Sequence, residues 1–378
     1  MRVTEFLLEV EASDLAGVPT ELDGPATLVL LFAGGSETQV AELPPGLVAA
    51  FGQSIVVGCS TSGCIEADRL SDDVVVGAVA QFEHSTLKSA VAELARPEDS
   101  YDCGGSLARQ LSTGSGLRAV IVLAPGLGVN GSALVQGLTD NLPPEVLVTG
   151  GLAGDGTRFG HTWVLHGSAM ESEQVVAVGL YGSRLRLGHG SRGGWEPFGP
   201  ERVITASNGN VLNELDGRPA LELYRQYLGD LATDLPASGL RFPLAVRESR
   251  DASRALTRTL LAVDEDAMTM TFAGDVPQGW LAQLMGADSP DLLDGASDAA
   301  LQARPGIDRP VLAIAVSCVG RRMVLGEGAD EELERTFDEL PAGSVQAGFY
   351  SYGELSPTGS GVCELHNQTM TLTTITED

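Results

Sequence analysis

Four stretches gather side chains that could hold or transform a small molecule. "GCSTSGC" (58–64) sets Cys59, Ser60, Thr61 and Ser62 between two glycines. "GGLAGDG" (150–156) supplies Gly151 and a single carboxylate, Asp155. "SCVGR" (317–321) adds Ser317 and Arg321. Near the carboxyl end, "AGFYSYGELSP…ELHNQTMTL" (347–372) brings Tyr350, Tyr352, Glu354, His366, Asn367 and Gln368 into 26 residues. Hydroxyls, amides and isolated carboxylates of this kind orient a polar molecule by hydrogen bonds rather than break it.

Covalent chemistry asks for more than these stretches offer. A Cys59 or Ser60 nucleophile needs an adjacent base, and none of the histidines at 84, 161, 166, 189 and 366 stands in a local pattern with that loop. "GCSTSG" also has the wrong spacing for a GxSxG elbow. The five cysteines (59, 64, 103, 318, 363) form no CxxC pair, which speaks against zinc and against a disulfide scaffold. "GLGVNG" (126–131) matches GxGxxG, but a dinucleotide site wants an acid ~20 residues on, at the next strand tip. Here the nearest is Asp155, inside another loop, so the glycines read as a turn into a helix. In the terminal stretch, "SVQAGFYSYGEL" puts Phe349 and Ser351 on one strand face and Tyr350 and Tyr352 on the other. "LHNQTMTLTTI" alternates in the same way, with His366, Gln368 and Met370 together. These residues either line a polar pocket or tie strands together, and the residues alone leave both readings open.

The elements that must position these groups repeat one pattern, a short apolar run ending in small or polar residues. It occurs at 26–36, 54–63, 118–128, 145–155 and 310–320. Such runs suit strands buried on both faces, whose carboxyl ends face a ligand crevice. Helical spacing appears in "SALVQGLTDNL" (Leu134, Leu138, Leu142) and "HSTLKSAVAELA" (Leu87, Val91, Leu94). Further helices are expected at 217–231, at 289–303 with Ser289 as cap, and at 329–341. Between 161 and 199 successive strands follow without helices, so part of the sheet is antiparallel, and residues 254–274 add two more. The fold class is α/β: two halves, 25–200 and 201–376, with mixed parallel and antiparallel sheets flanked by helices and a broad shared interface.

Composition bounds the partners. A net charge of −28 repels nucleic acid and anionic membrane, and no basic stripe offsets it. The amino terminus does not read as a signal peptide, and no apolar run approaches the ~18 residues of a membrane span. A reducing cytoplasm is the expected compartment.

"GCSTSGCI", "GGLAGDG", "GRPALELYRQYLG", "SCVGRRMVLG" and "GFYSYGELSP…LHNQTMTLT", in this order, resemble the hallmarks of FIST proteins (F-box and intracellular signal transduction). The resemblance runs over residues 25–376 as a FIST N region followed by a FIST C region. It implies a sensory module that binds small ligands such as amino acids, commonly coupled to kinases, cyclic-dinucleotide enzymes or chemoreceptors. With no output domain in this chain, the signal is expected to pass to a separate output protein. The acidic residue usual after the "GCSTSG" loop is Cys64 here, with Glu66 two residues on. The expected ligand-binding set is Cys59, Ser60, Thr61, Ser62, Gly151, Asp155, Ser317, Arg321, Tyr350, Tyr352, Glu354, His366, Asn367 and Gln368. Asp155 and Glu354 would grip an amino group, and Arg321 or loop amides a carboxylate. The set should meet around a hollow shared by the amino-terminal loops and the terminal ribbon. Two alternatives accompany this reading. Some bacterial members resemble haem-dependent gas sensors, for which His366, His84 or a Cys would be the axial ligand, and the Cys59–Ser60 loop could serve a hydrolase or transferase.

Overall fold

A computed structural model describes residues 1–378 except 10, 11, 13, 35–45, 253, 254, 305, 307, 308 and 358–360. Gly35 and Ser36, expected at the end of the first apolar run, lie outside the described residues.

The five apolar runs and the start of the terminal stretch form three parallel strand pairs: Thr27–Ala33 with Ile55–Ser60, Leu117–Ala124 with Leu147–Leu152, and Leu312–Cys318 with Val345–Ser351. Nearly all of these residues are buried, as continuous Val/Leu/Ile/Ala runs require. Each pair repeats one plan. An antiparallel strand closes on its first member: Val74–Gln81, Gln174–Tyr181 and Met370–Glu377 respectively. Outside it lies another antiparallel strand: Arg2–Glu9, Thr86–Glu93 or Leu185–Arg192.

From its second strand each unit sends a hairpin onto another unit's second strand. Cys64–Glu66 joins Val345–Ser351, Gly353–Pro357 joins Leu147–Leu152, and Val164–His166 joins Ile55–Ser60. The exchange is cyclic, and it produces three six-stranded sheets. Gly58, Gly150 and Gly348 hold equivalent positions, where a Cβ would strike the paired carbonyl of Leu31, Val122 or Ala315.

The inner faces of the three sheets share one core, with Phe32 stacked on Phe349 at 5.0 Å beside Ile121, Val176 and Val316. Helices Ser100–Leu111 and Gly131–Thr139 cover the second sheet, and Ser289–Gln302 with Ala329–Asp338 cover the third. Residues between Arg192 and Ser289 build an inserted lobe around the helix Ala220–Leu228 and a fourth, antiparallel sheet.

The mixed α/β class and the shared interface hold: Leu185–Arg192, from the first half, pairs along its whole length with the terminal strand Met370–Glu377. The 200/201 division falls inside the strand Glu196–Asn208. Four local expectations are corrected. Residues 86–93 are a strand, because Leu87 and Val91 satisfy both helical and alternate spacing. The alternation wins, with Leu87 and Val91 turned to the shared core and Ala90 and Ala92 under the helix Ser100–Leu111. The helix at 289 is capped by Asp288, whose carboxylate accepts from Asp291 N at 3.2 Å. Residues 255–274 hold three short strands, not two. The run "LHNQTMTL" is not one strand, because Gln368 adopts φ +65° and turns the chain between Cys363–His366 and Met370–Glu377.

Candidate functional site

The hairpin exchange brings the amino-terminal loops and the terminal ribbon side by side. Ser62 N donates to Tyr350 O at 2.9 Å, and Tyr350 N to Gly63 O at 2.8 Å. Ser60 Oγ accepts from Trp163 N (3.1 Å) and Ser62 Oγ from Gly156 N (2.9 Å). Thr61 Oγ1 accepts from Gly63 N at 3.2 Å and lies 3.4 Å from Cys64 Sγ. Asp155 is buried, and its carboxylate accepts from the backbone N–H groups of Phe159 (3.1 Å), Gly160 (2.8 Å) and His161 (2.9 Å) as well as from the Tyr352 hydroxyl. The Tyr352 ring stacks on Phe159 at 5.0 Å, and Gly151 lies under Val316 and Phe349.

A second polar knot surrounds Glu332. Ser317 Oγ (2.9 Å) and Tyr350 Oη (2.8 Å) donate to one carboxylate oxygen, and Arg321 Nε (2.6 Å) to the other. Arg321 is wholly buried and also donates to the carbonyls of Gly193 and Leu292. Burial, followed by the Glu332 charge, pushes the Tyr350 hydroxyl well up. Glu354 is buried as well. Its carboxyl accepts from Ser351 Oγ (2.6 Å), Thr369 N (3.1 Å) and Thr369 Oγ1 (3.0 Å), and burial raises its pKa to about 8 against those bonds. Cys59 lies in the shared core, its thiol pushed well up by burial and by Cys64, so it holds no thiolate at neutral pH. These residues bind one another and the backbone.

The terminal ribbon also borders a cavity of about 480 Å³. His366, Asn367 and Thr369 form one side of it. His189, Ser191, Arg192 and Trp195 come from the end of the strand Leu185–Arg192 and the residues after it. Leu256, Thr257 and Met285 come from the inserted lobe, and Gln302 from the last turn of the helix Ser289–Gln302.

Local sequence explains the placement. Gly188 and Gly190 face the helix, where a Cβ would strike the carbonyls of Ala303 and Ala299, and alternation turns His189 and Ser191 the other way. Burial holds the His189 imidazole below its usual pKa. Trp195 is fixed by its indole N–H, which donates to Gln368 O at 2.9 Å. Arg192 lies against the Gln302 amide, whose oxygen accepts from Nη2 at 2.6 Å and Nε at 2.9 Å in the orientation that satisfies both groups.

The His366-Asn367-Gln368 turn joins the lobe to this wall. Thr259 N donates to Asn367 Oδ1 (3.3 Å), and Gln368 Nε2 donates to Leu240 O (2.9 Å) and Thr259 Oγ1 (3.1 Å). His366 Nε2 donates to Ser356 O at 3.0 Å.

Of the sequence-derived set, this cavity takes His366 and Asn367. The residues the sequence reading missed are His189, Ser191, Arg192, Trp195, Thr257 and Gln302. Their signal was faint but present, since "GHGSRGGW" is another strand ending in small and polar residues. The "GLGVNG" loop has a structural task. Asn130 caps the helix Gly131–Thr139 by accepting from Ala133 N at 3.1 Å, and its amide donates to Asp275 of the lobe at 2.6 Å. Among the described residues no cluster of three or more His, Cys, Asp or Glu could hold a metal ion, and no helix is long and apolar enough to cross a membrane.

Sequence relatives include uncharacterized proteins of Mycobacterium tuberculosis (strain ATCC 25618 / H37Rv) and Mycobacterium bovis (strain ATCC BAA-935 / AF2122/97), each 29% identical over 252 residues. The match covers 63% of both chains in the first case and 62% in the second, so the chain spans under two thirds of these relatives' length. A crystal structure of chorismatase aligns over 99% of this chain and 98% of its own, at 9% identity and a TM-score of 0.36. Family models match as a FIST N domain over residues 27–218 and a FIST C domain over residues 220–357, and the chain therefore belongs to the FIST family of signal-transduction sensory domains.

Proposed function

We propose that this chain is a sensory protein that binds a small polar metabolite in the 480 Å³ cavity between the terminal ribbon and the inserted lobe, and passes its occupancy to a signalling output protein. The observation that carries the reading is the composition of the wall. A molecule there touches the ribbon of the FIST C hallmark, the end of a first-half strand and the lobe at once. Its volume lies in the ordinary range for small-molecule sites. The His366-Asn367-Gln368 turn is bonded to Leu240 and Thr259 of the lobe, so a ligand that orders the ribbon also biases the lobe's seating. Five free, buried thiols suit a reducing cytoplasm.

The test is thermal denaturation against a metabolite panel, with wild type beside Thr257→Trp, which fills the cavity from the lobe side. A ligand that binds the native state raises Tm with concentration, and the occluded variant should lose that response while keeping its fold. A panel that leaves wild type unmoved, or a shift that survives occlusion, removes this cavity as the site.

A further inference from the structure

The cavity carries a charge pattern opposite to that of the molecule around it. The chain has 51 Asp and Glu against 23 Lys and Arg, and at that frequency of 51 in 378 the cavity's sixteen described lining residues would include about two acids. They include none, and they do include the arginine Arg192.

Arginines at the other described cavities stand differently. Arg247 pairs with Glu201, Arg202 with Asp216 at 3.0 Å, and Arg258 shares its cavity with Asp275 and Glu364. The described partners of Arg192 are neutral, the Ser191 carbonyl and the Gln302 amide. That amide accepts from two guanidinium nitrogens at once and so fixes the plane of the fork, while the charge itself has no carboxylate among these partners. A guanidinium held in this way is complementary to a planar anion, which it meets with parallel hydrogen bonds. Apolar side chains complete the wall: Trp195, Leu256, Met285, Pro357 and Leu365.

We infer that the cavity takes a small organic anion, a carboxylate on an apolar or ring-shaped body, with Arg192 as its counter-charge. The inference rests on the proposed ligand cavity and adds the chemical class of the ligand. The body lies against Trp195 and the Leu256–Met285 wall, and Ser191, Thr257 and Asn367 select among its polar substituents. Inorganic phosphate shares the anion chemistry and lacks the body.

Titration calorimetry at low salt tests this with benzoate and phenylpyruvate, their neutral counterpart benzamide, inorganic phosphate, glycine and lysine. The carboxylates should bind at millimolar concentration or better, with benzamide, glycine and lysine weaker by about tenfold or more. Arg192→Gln should cost the carboxylates about tenfold or more, and Arg192→Lys less, at unchanged Tm. Phosphate binding as tightly as the ring carboxylates overturns the apolar-body part. Benzamide binding as well as benzoate, and still blocked by Thr257→Trp, overturns the anion while leaving the cavity as the site, and glycine or lysine binding as well as benzoate overturns the apolar body. Carboxylate binding indifferent to both Arg192→Gln and Thr257→Trp, or none at millimolar concentration, overturns the inference.

Discussion

Two regions of this molecule gather polar side chains at the seams between its parts and treat them differently. Around Asp155 and Glu332, hydroxyls, carboxylates and an arginine meet where three units exchange hairpins, and their polar atoms are bonded to one another or to backbone. Around Arg192, similar groups meet where the third unit receives the lobe, and they border open volume. Hydroxyls and an arginine occur in both, and carboxylates in the first alone. What separates them is access: polar groups in both find partners within the chain, as buried groups must or lose stability, and those around Arg192 also border open volume. Substitutions should divide accordingly, stability being lost in the first region and ligand affinity in the second.

The largest effect is expected at Glu332. Glu332→Ala leaves the Arg321 charge buried without its carboxylate and strips Ser317 and Tyr350 of their acceptor. Breaking one side of a buried pair costs about 3–5 kcal/mol. Urea denaturation should show that loss, and an intact midpoint would mean that this region is not the tied one. Asp155→Ala follows, since it orphans three backbone donors and the Tyr352 hydroxyl and should cost about 2–4 kcal/mol. If Asp155→Ala instead folds normally and loses ligand, the two regions exchange roles.

Glu354 sharpens the comparison through pH. Its native pKa of about 8 stands above the ordinary 4.5 because of burial, offset in part by its bonds to Ser351 and Thr369 and by the Arg321 charge. Below pH 4.5 both folded and unfolded chains hold the proton, and nothing is lost. Between 4.5 and about 8 the unfolded chain releases a proton that the native chain keeps, so stability falls as pH rises, by at most a few kcal/mol, and levels off beyond. Glu354→Gln should remove that fall. Because Glu5, raised to about 7, titrates in the same window, the informative quantity is the difference between variant and wild type in denaturation midpoints from pH 5 to 8. A constant difference across that range rules out Glu354 as the titrating group.

The sequence displayed the repeating units more clearly than their assembly. The apolar runs ending in small residues are five of the six paired strands, since burial on both faces leaves a continuous Val/Leu/Ile signature. Nothing local states that Cys64–Glu66 pairs with Val345–Ser351, because hairpin exchange is a contact between distant segments. The same limit governed the polar residues. Tyr352 and Asp155 stood out by type, but that they bond each other across 197 positions depends on that exchange. Little in the local sequence marks His189 and Arg192, because their strand alternates like any other and only the lobe and the helix Ser289–Gln302 turn its end into a wall.

The smallest effect belongs to the rim of the tied region. Arg322 reaches across units to Asp72, with Nη1 to Oδ1 at 2.9 Å and Nη2 to Oδ2 at 2.6 Å, and donates to the Ser62 carbonyl as well. The geometry is bidentate, but the Asp72 side chain is 54% exposed, so water and salt screen the attraction. Asp72→Asn keeps the shape and removes the charge, and should cost about 0.5 kcal/mol at low salt and less at 1 M. Because Arg322 keeps its bond to Ser62, the "GCSTSG" loop stays in place and ligand affinity should not change. A loss of several kcal/mol would make this exposed pair as important as the buried knot around Glu332, and satisfaction by partners within the chain would then no longer explain where this protein keeps its stability.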